Sequence, residues 1–225
     1  MSDAPEIAER VALVRARIAA ACARAGRQPD EVTLVAASKT VAPERVAAAH
    51  AAGVRDFGEN YAQELRAKQV ACAALDARWH FIGRLQRNKA KEVAGRVVLV
   101  HSVDDAALAS ALGRRAAAAG LVQQVLLEVN LGDEASKAGV AIGDAERSAE
   151  LVCAVDGVRV VGLMALPPPS ATAEGNRGHF RALAGLAARL GLRELSMGTT
   201  DDFEVAVEEG ATLVRVGTAI FGARR

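Results

Sequence analysis

Lys39 is the residue in this sequence that most needs a chemical reason. It closes Val32-Thr33-Leu34-Val35-Ala36-Ala37-Ser38, an apolar run, in a chain that draws its positive charge from 23 arginines and only five lysines: Lys39, Lys68, Lys89, Lys91 and Lys137. Burial disfavours an ammonium ion and lowers its pKa. A lysine able to lose its proton is a nucleophile toward carbonyl carbon. Two later segments, Ser196-Met197-Gly198-Thr199-Thr200 and Arg215-Val216-Gly217-Thr218, each set glycine beside a hydroxyl residue just past an apolar run. Glycine lets backbone N–H groups approach a ligand closely, and the hydroxyls add short donors, so the two segments read as a phosphate cup. A Schiff-base lysine and a phosphate cup in one mouth suit a phosphorylated aldehyde or ketone, a class that includes pyridoxal phosphate and the sugar phosphates. Plainer readings stand beside these. Lys39 pairs with a carboxylate such as Glu59, and Thr200 or Asp201 caps a helix starting at Phe203. Asp201 and Asp202 would repel a phosphate and are expected to point away from it.

Arg215, in Leu213-Val214-Arg215-Val216-Gly217, needs an acceptor among apolar neighbours. Glu59 would supply one, and so would a ring nitrogen of a ligand. His80 and His101 read as satisfied barrel or loop residues, His50 and His179 as helix surface. No spacing of His, Cys, Asp or Glu reads as a metal site. The densest basic run is Arg84-Leu85-Gln86-Arg87-Asn88-Lys89-Ala90-Lys91. It reads as a solvated loop and helix start, and in a sharper reading as a docking patch for an anionic partner.

These residues must be placed by a repeating framework. Short apolar, β-branched runs occur at 32–37, 54–58, 79–83, 97–100, 122–129, 158–165, 194–197 and 212–216, separated by Ala-, Leu- and Arg-rich helical stretches. Several of those stretches close on glycine: Gly53, Gly95, Gly120, Gly191 and Gly210. Near-continuous apolar strands are strands covered on both faces, hence a parallel sheet with helices outside. Eight such units in about 200 residues fit an α/β fold, a single (β/α)8 TIM barrel of minimum size. The rival, an open doubly wound sheet, usually shows a Gly-rich first turn; here the first strand ends in Ser38-Lys39-Thr40. The chemistry of such barrels collects at the C-terminal ends of the strands, so Lys39, Asn60, Ser196 and Arg215 are expected at one mouth. After the eighth strand only 217–225 remain, too few for a good helix. An extra N-terminal amphipathic helix carries Ile7, Val11, Val14, Ile18 and Cys22 at three- and four-residue spacing. Pro5 fits its first turn and Gly26 its stop. It is expected to cover the barrel surface left bare by the missing last helix. Pro167-Pro168-Pro169 reads as a stiff loop rather than a boundary, so residues 1–225 are expected to form one domain.

Composition narrows the function. Aromatics make up 3% and the formal net charge is +1, which leaves neither base-stacking surface nor basic footprint for nucleic acid. No apolar stretch approaches 18 residues, and the Met-Ser-Asp start carries no secretory pattern. Cys22, Cys72 and Cys153 are odd in number and far apart, unlike a disulfide frame. A reduced, cytoplasmic protein is expected.

At this point the motifs resemble one family, the pyridoxal phosphate homeostasis proteins, whose fold is like the N-terminal barrel of alanine racemase. The segments that carry the resemblance begin with Val35-Ala36-Ala37-Ser38-Lys39-Thr40, Phe57-Gly58-Glu59-Asn60-Tyr61 and the stretch from Trp79 to Lys89. They continue with Glu134-Ala135-Ser136-Lys137-Ala138-Gly139, Gly162-Leu163-Met164-Ala165, Leu195-Ser196-Met197-Gly198 and the stretch from Arg215 to Gly222. The resemblance implies that Lys39 holds pyridoxal 5′-phosphate as an internal aldimine. It implies phosphate contacts from Ser196 and from Gly217-Thr218, and Arg215 at the pyridine nitrogen with Asn60 nearby. Met164, Met197 and Gly198 complete the cofactor-binding set. Thr199-Thr200 stands where the family usually has Met-Ser: Thr200 keeps the family's hydroxyl, and Thr199 is the departure. Two classes of function follow: a non-catalytic carrier of the cofactor, or an enzyme, a racemase or a Schiff-base aldolase. The carrier is favoured, because a racemase draws one acid–base group from a second domain. Its expected partners are pyridoxal phosphate and, as recipients, apo-enzymes that need it; a monomer is expected.

Overall fold

The β-branched runs become strands β1 (Thr33–Ala37), β2 (Asp56–Glu59), β3 (Arg78–Phe81), β4 (Leu99–Val103) and β5 (Gln123–Asn130). They are followed by a two-residue β6 (Val140–Ala141), then β7 (Val158–Met164), β8 (Glu194–Ser196) and β9 (Leu213–Val216). These come from a computed structural model that describes residues 3–132 and 138–223. All pairings are parallel. Apart from β6, which extends the sheet beside β5, the strands close on themselves: β1 pairs with both β2 and β9, and β4 pairs with β5. The fold is therefore the eight-stranded (β/α)8 barrel. The Glu134–Lys137 part of the sequence pattern lies outside the described residues.

Helices α2 (Pro43–Ala51), α3 (Ala62–Ala71), α4 (Ala90–Val93), α5 (Ala106–Ala118), α6 (Ala145–Cys153), α7 (Arg177–Arg189) and α8 (Phe203–Glu208) follow the strands. A large apolar layer lies between strands and helices. A small second cluster, Val35, Leu99, Leu126, Met164 and Leu213, packs apart from that layer. The expected absence of a last helix is corrected in part: Thr218–Phe221 forms one turn, α9. The N-terminal helix α1 (Ala4–Arg24) packs against α2, α8 and α9, across the seam where β9 meets β1. Ile7, Val11, Val14, Ile18 and Cys22 are its buried stripe, and each large aliphatic side chain so buried is worth about 1.5–3 kcal/mol. Arg17 adds a bidentate pair to Glu204 on α8.

Strand β4 runs further than the sequence suggested. His101 and Ser102 lie inside it, since pairing continues to Val103 opposite Leu127. Their polar side chains do not break the ladder because both are buried and bonded, Ser102 Oγ donating to Gly83 O.

Candidate functional site

The turn after β1 is clamped from several sides. Val41 N–H donates to Ser38 O at 2.9 Å, which places Lys39 and Thr40 at the centre of the turn. Thr40 has φ of 62°, the one positive value at a non-glycine among the described residues. For a β-branched side chain that conformation is strained, and the surroundings enforce it. Thr40 N–H donates to Glu64 Oε2 at 2.8 Å. Ser38 is fully buried; its N–H reaches Gly58 O and its hydroxyl donates to Glu59 Oε1 at 2.6 Å. Lys68 on α3 drives its ammonium into the same place, 2.6 Å from Ser38 O, 2.8 Å from Glu59 Oε1 and 3.1 Å from Glu64 Oε2. The lysine that pairs with Glu59 is thus Lys68, not Lys39. Burial pushes the Glu59 carboxyl up, opposed by hydrogen bonds from Lys68 and Ser38.

Lys39 opens on a cleft of about 1180 Å³ at the C-terminal ends of the strands. Asn60, Thr199, Thr200, Arg215, Gly217 and Thr218 share its wall, and Asp3, Glu6, Arg10 and Arg45 also line it. Asn60 follows β2, and its backbone lies so close to the loop after β3 that a Cβ at Gly83 would stand 2.4 Å from Asn60 O. Asn60 Oδ1 is buried with no hydrogen-bond partner among the described residues. An amide can present donor or acceptor by turning over, so a ligand in the cleft would satisfy it.

The loops after β8 and β9 meet across the cleft floor, where Gly217 N–H points at Thr200 Oγ1 across 3.3 Å. Gly198, at φ of 88°, makes the tight turn between them: a Cβ there would sit 2.6 Å from that of Ala206, and its carbonyl receives Arg215 N–H. Asp202 is turned away from the cleft, as expected. Its carboxylate accepts from Thr199 N–H at 2.7 Å, from Thr199 Oγ1 and from Asn176 Nδ2 at 2.8 Å. Asp201 does line the cleft. Neither Thr200 nor Asp201 caps α8, whose N-cap is Asp202, without a side-chain cap bond.

Of the nine residues expected to hold a ligand, Lys39, Asn60, Arg215, Gly217 and Thr218 lie together on the cleft wall. Ser196 is fully buried instead, its hydroxyl engaged by Arg215 Nη1 and, at 2.8 Å, by His101 Nδ1. Met197 is fully buried in the layer between strands and helices, and Met164 in the smaller cluster. The hydroxyls that reach the cleft from the β8 loop are those of Thr199 and Thr200.

Arg215 also donates to Ala165 O at 3.0 Å. Burial pulls its guanidinium down to about 10, with Glu128 and Asp202 pulling the other way, so it stays charged at neutral pH. Glu128 on β5 is pushed up to about 7 by burial and by Asp104, against Arg215 and Arg84. The acceptor expected for Arg215, Glu59, is held elsewhere by Lys68. His80 and His101 are satisfied barrel residues, 3.0 Å apart. His50 and His179 are half-buried on α2 and α7, and Tyr61 is exposed at the rim. Among the described residues no group of His, Cys, Asp and Glu is placed to hold a metal. The basic run forms a loop and helix start, as expected. Arg87 and Lys91 from it face Arg114 and Arg115 of α5 across a separate groove of about 480 Å³.

The cleft thus combines an amine on a strained, clamped turn, a floor of hydroxyls and backbone N–H, and an arginine with donors only. It suits a carbonyl compound that carries a phosphate and an aromatic nitrogen. The profile of the alanine racemase N-terminal domain matches residues 11–225. A pyridoxal phosphate homeostasis protein of Aquifex aeolicus is 45% identical over 223 residues, 96% of this chain and 98% of that one. Another, of Pseudomonas aeruginosa, is 47% identical over 220 residues, 97% of this chain and 96% of that one. Among solved structures, PipY of Synechococcus elongatus with pyridoxal phosphate bound superposes with a TM-score of 0.83 at 37% identity, covering 96% of this chain and 100% of that one.

Proposed function

The chain belongs to the pyridoxal phosphate homeostasis protein family, built on the alanine racemase N-terminal domain, and from that premise we propose that it holds pyridoxal 5′-phosphate in this cleft, bound through an imine to Lys39, as a carrier in intracellular cofactor homeostasis. The observation that carries the reading is the meeting of Lys39, Arg215 and the Thr200–Gly217–Thr218 floor in one cleft. Lys39 is the residue that would hold the aldehyde carbon through its amine, with water as the leaving group. The floor binds the phosphate through Gly217 N–H and the hydroxyls of Thr200 and Thr218. Asn60 turns its amide to the ring. Gly198, Ser196, Met197 and Met164 support the site from beneath. The 225 residues act as one cofactor-binding domain.

Pyridoxal phosphate supplies an aldehyde that captures amines and a ring that withdraws electrons, most strongly when its nitrogen is protonated. Arg215 opposes that last step. A guanidinium has only donors, so it hydrogen-bonds an unprotonated nitrogen and leaves the ring a weak electron sink. This supports storage and delivery over turnover, with apo-enzymes as recipients. No helix among the described residues is long and apolar enough to cross a membrane, in keeping with a cytoplasmic carrier. Incubation of the purified protein with pyridoxal phosphate and then with amino acids tests the reading. A yellow protein that releases its cofactor unchanged supports it. Rapid racemisation, transamination or decarboxylation abolished by Lys39→Ala would replace the carrier with an enzyme.

A further inference from the structure

Behind Arg215 a line of buried polar side chains crosses the barrel interior. Arg215 Nη1 donates to Ser196 Oγ; Ser196 Oγ lies 2.8 Å from His101 Nδ1; His101 Nε2 lies 3.0 Å from His80 Nδ1; His80 Nε2 lies 2.9 Å from Asp56 Oδ1. The step from His101 on β4 to Ser196 on β8 joins strands that are not neighbours in the sheet, so it passes through the interior. Asp56 is gripped in turn by Arg78, whose Nε and Nη2 reach its two oxygens at 2.9 and 2.5 Å. Small barrels usually fill this space with branched aliphatic side chains. Here Ser196 and His101 are fully buried, and His80 and Asp56 are 3% and 6% exposed.

The two ends fix the direction of every proton. Arg215 can only donate. Asp56 is ionised: burial works to raise its carboxyl, but the hydrogen bonds from His80 and Arg78 outweigh it and hold it low. His80 Nε2 must therefore donate to Asp56. If His80 is neutral, its Nδ1 accepts from His101 Nε2–H; if His101 is neutral, its Nδ1 accepts from the Ser196 hydroxyl. Every bond is then satisfied once and all run one way. Adding a proton to either histidine puts hydrogen on His101 Nδ1. Ser196 Oγ would then accept from both His101 and Arg215, and its own hydrogen would be buried without an acceptor, which is costly. Burial first, and the Arg215 charge besides, hold His101 well below the ordinary histidine value. The charges that face this line are Arg78 at one end and Glu128 and Asp202 around Arg215 at the other.

We propose that Asp56, His80, His101 and Ser196 are positioning residues: a one-way chain of hydrogen bonds, with both histidines neutral and protonated on Nε2, that holds the Arg215 guanidinium oriented toward the ring nitrogen of the bound cofactor. The proposal rests on reading the cleft as a pyridoxal phosphate site. Without the chain Arg215 loses its Ser196 anchor, and the ring nitrogen becomes free to take up a proton.

Two measurements test it together. Nitrogen-15 NMR of the histidine side chains in the unliganded protein at neutral pH should show His80 and His101 as neutral Nε2–H tautomers. A cationic ring or an Nδ1–H tautomer at either position overturns the chain. Next, pyridoxal phosphate labelled with nitrogen-15 in the ring is bound to wild type, Ser196→Ala, His101→Leu and His101→Gln. The ring nitrogen should read as unprotonated in wild type and move toward the protonated shift in Ser196→Ala and His101→Leu, with affinity down about ten- to a hundredfold at the scale of one charged hydrogen bond. His101→Gln should stay near wild type, because an amide can accept from Ser196 and donate to His80. Ser196→Ala, a small cavity, keeps the test open should His101→Leu fail to fold. A ring-nitrogen shift unchanged across all variants overturns the positioning role. A wild-type protein that binds no pyridoxal phosphate overturns the cofactor reading itself, and the tautomers of the unliganded protein separate that failure from failure of the chain.

Discussion

Replacing Lys68 with methionine should damage the site more than any surface change, although Lys68 lies outside the cleft. Its ammonium joins Ser38 O, Glu59 Oε1 and Glu64 Oε2, and its side chain is 6% exposed. Methionine matches the volume and removes the charge. Glu59, fully buried, then keeps only the Ser38 hydroxyl among its side-chain donors. Breaking a buried ion pair from one side costs about 3–5 kcal/mol. At roughly 2–4 °C per kcal/mol for a chain of this size, Tm should fall by roughly 6–20 °C. The deficit should depend on pH with a definite sign. Burial already raises the Glu59 carboxyl, and loss of Lys68 raises it further. A carboxyl raised in the folded state destabilises that state as pH climbs above its unfolded value, about 4.3. The gap between Lys68→Met and wild type should therefore widen from pH 5 to pH 8. Glu59→Gln in the same chain should recover much of it, since glutamine keeps an acceptor for Ser38 and carries no charge. The assay is urea unfolding at both pH values, with pyridoxal phosphate loading measured in parallel. A single variant that loses under 1 kcal/mol, shows no pH trend and loads normally would refute the claim that Lys68 holds the turn that presents Lys39.

Thr200→Val and Thr218→Val should each weaken pyridoxal phosphate binding about ten- to a hundredfold, the scale of one hydrogen bond to a charged group, yet leave affinity for unphosphorylated pyridoxal nearly unchanged; isothermal titration with both ligands measures this. His101 is held below its ordinary value of 6.5, so below that pH the unfolded chain takes up a proton that the folded chain refuses. Stability should then fall as pH drops below about 6.5, and denaturant titrations of His101→Gln should show a shallower fall than wild type.

Lys39 was legible in the sequence because a charged residue at the end of an apolar strand is chemically conspicuous, and the alternation of strands and helices was legible because each strand is buried on both faces. Helix α1 announced its buried side through Ile7, Val11, Val14 and Ile18. The β8 loop was harder to read. Five consecutive residues include two that end up beneath the floor, Ser196 and Met197, and two that reach it, Thr199 and Thr200; which hydroxyl faces a ligand depends on depth in the barrel, which no local pattern encodes. Lys68 left a faint trace, as one of five lysines and four residues after Glu64 on one helix face, a spacing that on most helices marks only a solvated pair. The chain from Asp56 to Arg215 left none. Its members sit on five different strands, His101 and Ser196 lie 95 residues apart, and only closure of the barrel brings them into line. Helix α9 carries no sequence signal, because four residues hold no periodicity.

The central claim, that Lys39 is the covalent anchor in this cleft, is tested most directly by trapping the linkage. The protein is loaded with pyridoxal phosphate, reduced with borohydride, digested and mapped by mass spectrometry. The account predicts the phosphopyridoxyl group on Lys39, and no reducible adduct in Lys39→Ala. Stoichiometric label on Lys68 or another lysine, or no reducible adduct in a wild-type protein that binds the cofactor, would contradict it.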